Sequence, residues 1–127
     1  MAVGISSYFA NACLNAMGNN TSFAVSTAYV QLHVGDPGAS GVSNAATETS
    51  RKAVSFATAA SGSMSSDADV IWTNISGSQD ATHFSLWDLS SGGNFLASGT
   101  ITAAAYNAGD TYTITSGNLT VSFTLAS

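Results

Sequence analysis

From residue 5 to residue 17, Ile5, Tyr8, Phe9, Ala12, Cys13, Ala16 and Met17 recur three and four positions apart. That spacing places them on one face of a helix with about 3.6 residues per turn. Ser6 or Ser7 supplies a capping hydroxyl at its start, and Gly18 stands where a helix stops. The pattern predicts an N-terminal helix within residues 1–18. Cys13, on the stripe, is expected to be a buried, inert thiol. The Asn19, Asn20, Thr21, Ser22 cluster then reads as a loop.

From residue 28 the period changes to two. Ala28, Val30, Leu32 and Val34 alternate with Tyr29, Gln31 and His33. Val54 and Phe56 share a face of a second strand, and further strands are predicted over 70–75, 83–87 and 95–101, the last with a break at Gly99. Tyr112 and Ile114 oppose Thr111, Thr113 and Thr115. Leu119, Val121, Phe123 and Leu125 alternate with polar partners most regularly of all. Alternation of this kind marks antiparallel strands with one buried face, because successive side chains point to opposite sides. Turn clusters separate the strands at 35–38, 61–63, 76–78, 90–94, 108–110 and 116–118, and the Gly117-Asn118 pair is expected to close a hairpin between the last two strands. Many short strands with one helix predict a mainly β chain: an antiparallel β-sandwich or jelly-roll-like barrel, as one domain over 1–127. Residues 39–50 are small and polar, and are expected to form a loop or an arm toward a neighbour.

Composition changes this picture in one respect. Charged residues make up 7% of the 127, against about 25% in a typical soluble domain. Arg51 and Lys52 are the only cations beside seven carboxylates, for a formal charge of −5. Two cations cannot neutralise a run of phosphates, so no nucleic-acid partner is expected, nor a polybasic membrane anchor. No run approaches the ~18 apolar residues of a membrane helix. The N-terminal segment lacks the positive stretch of a secretory signal, so none is expected. One cysteine gives no intrachain disulfide. Monomers keep their surfaces wet with Lys, Glu, Arg and Asp, whereas the cores of subunit interfaces are depleted in them. A surface covered by other subunits is therefore expected.

Candidate chemistry is sparse. There is no nucleophile-elbow, phosphate-loop, dinucleotide or zinc-protease motif. His33 and His83 lie on different strands and could meet beside Asp36 or Asp88, but three or four convergent ligands are needed for a metal. Asp67-x-Asp69 lacks the downstream ligands of a calcium loop. With so many serines, a Ser near a His carries little meaning, and Glu48 is the sole glutamate. No catalytic residue, cofactor or metal is expected. Trp72 and Trp87 read as core or interface residues, with an exposed carbohydrate shelf as the alternative. The two trypsin sites, at Arg51 and Lys52, are adjacent, and on a strand they point to opposite faces.

The run Tyr29-Val-Gln-Leu-His-Val-Gly-Asp-Pro-Gly38 resembles the LH-x-x-DPG segment of a family of small phage virion proteins described as tail-fibre-like or minor structural proteins. The opening helix with Asn20-Thr21-Ser22-Phe23, the run from Thr49 to Phe56, and Ala68-Asp-Val70, Thr82-His-Phe84, Trp87-Asp88, Gly92 to Gly99 and Ala108-Gly-Asp110 are similar in order and spacing. The chain departs from that pattern at Val34-Gly35, where Thr-Ala commonly precedes Asp-Pro-Gly. The resemblance implies a non-enzymatic virion protein made in the host cytoplasm. Joined to the low charge and short length, it leads to the expectation of a capsid decoration (cement) protein on the capsid surface. It would be a homo-oligomer, most simply a trimer, clamping the major capsid protein. Tyr29, His33, Asp36, Arg51 and Trp87 are the expected interface residues. The alternative is a tail or head-fibre component that meets the host through Trp87, Tyr29 or the loops. A cell-wall hydrolase is the third class.

Overall fold

The predicted helix forms for the predicted reason. In the computed structural model, which describes residues 3–126, α1 spans Ser7–Gly18 with Ser6 as its N-cap, and the Ser6 hydroxyl oxygen accepts the Phe9 N–H at 3.1 Å. Residues 1 and 2 of the expected helical segment lie outside the described residues. The apolar stripe is wider than the surface it meets. At 100° per residue it subtends roughly half the helix circumference. The body of the protein covers its centre at Ile5, Phe9, Ala12 and Cys13. Tyr8 and Met17, at its two margins, remain 42% and 81% exposed. Cys13 is therefore half-buried rather than buried. What ties α1 down is the backbone before it: Ser6 N–H donates to Leu96 O, and Ser98 N–H to Gly4 O, both at 2.8 Å.

The strands are β1 (Ala28–His33), β2 (Lys52–Val54), β3 (Ser63–Ser65), β4 (Val70–Trp72), β5 (Gln79–Trp87), β6 (Phe95–Tyr106), β7 (Tyr112–Ile114) and β8 (Thr120–Ser122). All pairings are antiparallel. A four-stranded sheet has the order β2-β1-β5-β6, and two small sheets pair β3 with β8 and β4 with β7. Val30, Leu32, Phe84 and Leu86 from the large sheet meet Val70, Trp72 and Ile114 from β4 and β7, with Leu119, in one buried cluster. The result is the sandwich form of the expected fold class; among the described residues the sheets do not close into a barrel.

Several local expectations are corrected. Gly117-Asn118 does not join a hairpin, since β7 pairs with β4 and β8 with β3. Gly117, at φ +90°, instead carries the chain from one small sheet to the other while its N–H donates to Ser66 O at 2.7 Å. The most regular alternation yields only the three residues of β8. Leu119 is fully buried before it, and Phe123 is 46% exposed after it. No break falls at Gly99. β6 runs through it, paired with Phe84, and a Cβ there would lie 2.7 Å from the Phe84 ring. The glycine makes room for a cross-strand aromatic, and the irregularities of the β5–β6 pairing fall instead between Ala81 and His83 and between Leu86 and Trp87. β3 has no apolar alternation to announce it. It forms because Ser61 and Gly62, both at positive φ, close a two-residue hairpin between Ala60 and Ser63.

Residues 39–50 contain no helix or strand and lie back along β1. Val34 N–H donates to Asn44 O and Ala46 N–H to Leu32 O, at 2.9 and 3.1 Å. Ala46 and Glu48 are buried. Burial raises the Glu48 pKa, but hydrogen bonds from Ser50 and from the Ser76 N–H outweigh it and hold the carboxylate below its ordinary value.

Candidate interaction surface

Strand register gathers most of the expected interface residues. On the face of the large sheet opposite Val30 and Leu32, Tyr29 stands across from Trp87, Gln31 from Ser85 and His33 from His83. Arg51, one residue before β2, reaches the same face. Asp36 does not join them. Its Oδ1 accepts the Gly38 N–H at 2.8 Å, Gly38 takes φ +78°, and Pro37 O accepts the Ser43 N–H. The Asp-Pro-Gly segment is thus a turn held by its own side chain, the local chemistry these residues favour.

His33 and Ser85 are 0% exposed and Trp87 nearly so, and they form one relay of hydrogen bonds. Ser43 O can only accept, so His33 Nδ1, 2.8 Å away, carries the proton. His33 Nε2 then accepts from the Ser85 hydroxyl at 2.7 Å, and Ser85 Oγ accepts the Trp87 Nε1–H at 2.8 Å. Every polar atom of the relay is satisfied with a neutral imidazole. Burial lowers the His33 pKa, and the backbone hydrogen bond to Ser43 opposes it only partly.

Arg51 covers the relay. Its guanidinium carbon lies 4.0 Å above the Trp87 ring, and Nε–H donates to Gln31 Oε1 at 3.1 Å. One terminal nitrogen donates to both Leu89 O and Gly92 O, at 2.9 and 2.7 Å. These two carbonyls belong to the β5–β6 loop. Asp88 closes the same loop by accepting the Asn94 N–H and Nδ2–H at 2.7 and 3.0 Å. Burial raises the Asp88 pKa, yet the Asn94 bonds and the Arg51 charge leave it below its ordinary value. Loop 88–94 is therefore braced from beneath while residues 89–94 face solvent.

The relay is a buried hydrogen-bond network that supports the loop above it. Ser85 and His33 stand at the distance of a nucleophile and its base, but no substrate reaches two fully buried side chains. Both ring nitrogens of His33 are engaged, and His83 Nδ1 is 2.8 Å from Thr82 Oγ1. Among the described residues no group of three His, Cys, Asp or Glu could hold a metal ion. The alternative of a carbohydrate shelf on the tryptophans fails, because Trp72 lies in the core with its Nε1–H on Ser50 O, and Arg51 roofs Trp87.

A second feature escaped the strand and motif patterns. Between α1 and the large sheet lies a hollow of about 320 Å³ lined by Phe9, Cys13, Phe23, Phe56, Leu96 and Val121, among others. Phe9 stacks on Phe123 at 5.8 Å and packs on Phe23 at 5.6 Å, tying the helix to the loop after it and to the C-terminal segment. The signal that could have found it is the placement of charge: every charged side chain falls between Asp36 and Asp110. The segments that wall the hollow on α1's side carry none.

The protein is an antiparallel β-sandwich whose single arginine braces a surface loop over a buried hydrogen-bond relay. Comparison with known families is specific: the chain belongs to the phage family described as Podophage GP4 fiber I protein gp80, whose model matches residues 4–122. No match was found among curated proteins. The chain is thus a small phage structural protein, a virion component of the fibre kind, from a family that is not enzymatic.

Proposed function

We propose that this chain is a non-catalytic structural subunit of a virion fibre, that it acts in several symmetric copies, most simply three, and that it presents loops to the outside. The family match over residues 4–122 carries this reading. It favours a fibre over the capsid decoration role expected from low charge and small size. The geometry supports it: loop 88–94 is held by Arg51, Asp88 and Asn94 and offers Leu89 and a run of small polar residues to a partner. A loop held rigid before contact loses less entropy on binding. The test is immunogold electron microscopy of purified virions with an antibody to this chain. Label on the fibres is expected. Label spread over the capsid shell would return the protein to capsid decoration, with the major capsid protein as partner.

A further inference from the structure

We propose that His33 is a pH-sensitive latch beneath loop 88–94: when it takes up a proton, the hydrogen bonds that reach Trp87 are broken, Arg51 is repelled and the loop is freed. The latch belongs to the chain itself, whether the chain serves in a fibre or on the capsid. With His33 neutral, every proton of the relay runs one way: from the Trp87 indole to Ser85 Oγ, from the Ser85 hydroxyl to His33 Nε2, and from His33 Nδ1 to Ser43 O, over 2.8, 2.7 and 2.8 Å. A proton on Nε2 reverses the middle link. Nε2–H then points at Ser85 Oγ, and the Ser85 hydroxyl hydrogen must turn elsewhere. Ser85 is 0% exposed, and among the described residues its hydroxyl bonds only to His33 and Trp87. A buried donor is left without an acceptor, which is costly. Trp87 is the last residue of β5 and borders the loop, so it is the member of the relay free to move. Once it lifts away, water enters and accepts the Ser85 hydrogen.

Charge drives the same change. On this face stand Tyr29 of β1, His83 of β5, directly across from His33, and Arg51. His83 and Arg51 both act on His33 by repulsion. Residues 37–46, which pack along β1 and supply Ser43 O, carry no charged side chain, and neither does β6. The carboxylates nearest in sequence are engaged elsewhere: Asp36 accepts the Gly38 N–H, Glu48 the Ser76 N–H, and Asp88 the Asn94 N–H. An imidazolium at His33 therefore meets cations and no anion. Arg51, half-buried on a long flexible stem, is the one that can swing out to water. In doing so it leaves the Trp87 ring and releases Leu89 O and Gly92 O together. Burial lowers the His33 pKa, so the latch is closed at neutral pH and opens in acid. Acid thus removes the rigid loop from the surface and uncovers the Trp87 ring in its place.

The experiment is an NMR titration of the full, isotope-labelled chain from about pH 8 to about pH 4.5. It follows both imidazoles, the Trp87 indole N–H and the amides of residues 88–94 in the wild type, His33→Gln, His83→Gln and Arg51→Ala. In the wild type, His33 is expected to titrate below its ordinary value, and the indole and loop signals to shift with that same midpoint. Across it, protection of the Asn94 amide, scaled to the unprotected exchange rate at each pH, should fall at least about tenfold, while amides inside β1 and β5 keep theirs. Asp88, held below its ordinary value, stays charged over this range. His83→Gln should retain the whole response, His33→Gln should abolish it, and Arg51→Ala should show a loop already free at neutral pH. A loop that follows the His83 midpoint or neither histidine overturns the proposal. So does a loop that loosens only together with β1 and β5, or a His33 that stays neutral until the protein unfolds. The wild-type midpoints and His83→Gln decide the matter even where His33→Gln does not fold. None of these results depends on where the virion holds the protein, so failure here is distinct from immunogold label on the capsid.

Discussion

Replacing Arg51 with alanine should loosen one loop and leave the fold in place. Arg51 holds Trp87 by stacking, and holds Leu89 O and Gly92 O by two hydrogen bonds from one nitrogen. A cation over an aromatic face contributes about 0.5–2 kcal/mol. Charge-assisted hydrogen bonds contribute about 1.5–3 kcal/mol when buried, but these two sit at the surface, where water replaces them and screening cuts their value to about 0.5 kcal/mol each. The net loss is about 1.5–3 kcal/mol. At this chain length each kcal/mol moves Tm by roughly 4 °C. Arg51→Ala should therefore lower Tm by about 6–12 °C and speed amide exchange at Asn94, whose N–H donates to Asp88. Arg51→Lys keeps a charge near Trp87 but lacks the flat guanidinium that stacks on the ring and the second nitrogen that reaches Gln31 Oε1, so it should recover only part of the loss. The same clamp predicts that trypsin cuts the folded wild type slowly after Arg51. An Arg51→Ala protein with unchanged Tm and unchanged Asn94 exchange, or full recovery by lysine, would refute the bracing role.

Three other outcomes follow from the buried relay and the core. Ser85→Ala leaves His33 Nε2 and the Trp87 indole N–H without partners; at about 1–3 kcal/mol for each unsatisfied buried group, urea denaturation should show a loss of about 2–6 kcal/mol. His33 has its pKa lowered in the fold, so the unfolded chain binds the proton more readily. Its contribution is present above about pH 6.5 and is lost as pH falls below that value. Urea midpoints should fall between pH 6.5 and 5, before the lowered Glu48 and Asp88 carboxylates begin to protonate, and His33→Gln should flatten that slope. Gly99→Ala drives a methyl into the Phe84 ring and should cost about 1–3 kcal/mol, with part recovered in the double variant Gly99→Ala/Phe84→Leu.

The parts of this fold that were legible in the sequence are those set by local periodicity. The α1 stripe, its Ser6 cap and the inward alternation of Val30 and Leu32 all appear where the spacing placed them. Pairing was not legible, because it depends on residues far apart in the chain. The segment from Leu119 to Leu125 alternates well, yet its partner is β3, a serine-rich strand with no pattern of its own. Of the expected interface residues, Tyr29, His33 and Trp87 share a face because the β1–β5 register aligns them, and Arg51 joins them from the residue before β2. No spacing rule predicts that register. The relay through Ser85 was beyond reach for a different reason: in a chain so rich in serine, nothing marks the one that is buried. Charge placement was legible throughout, and only the fold reveals that the two uncharged ends come together at Phe9, Phe23 and Phe123.

The most direct measurement is the number of copies of this chain per particle, by quantitative mass spectrometry of purified virions against the major capsid protein. A fibre subunit is expected in a small number of copies, in multiples of three, independent of the capsid protein count. Hundreds of copies that scale with the capsid protein would contradict the fibre assignment.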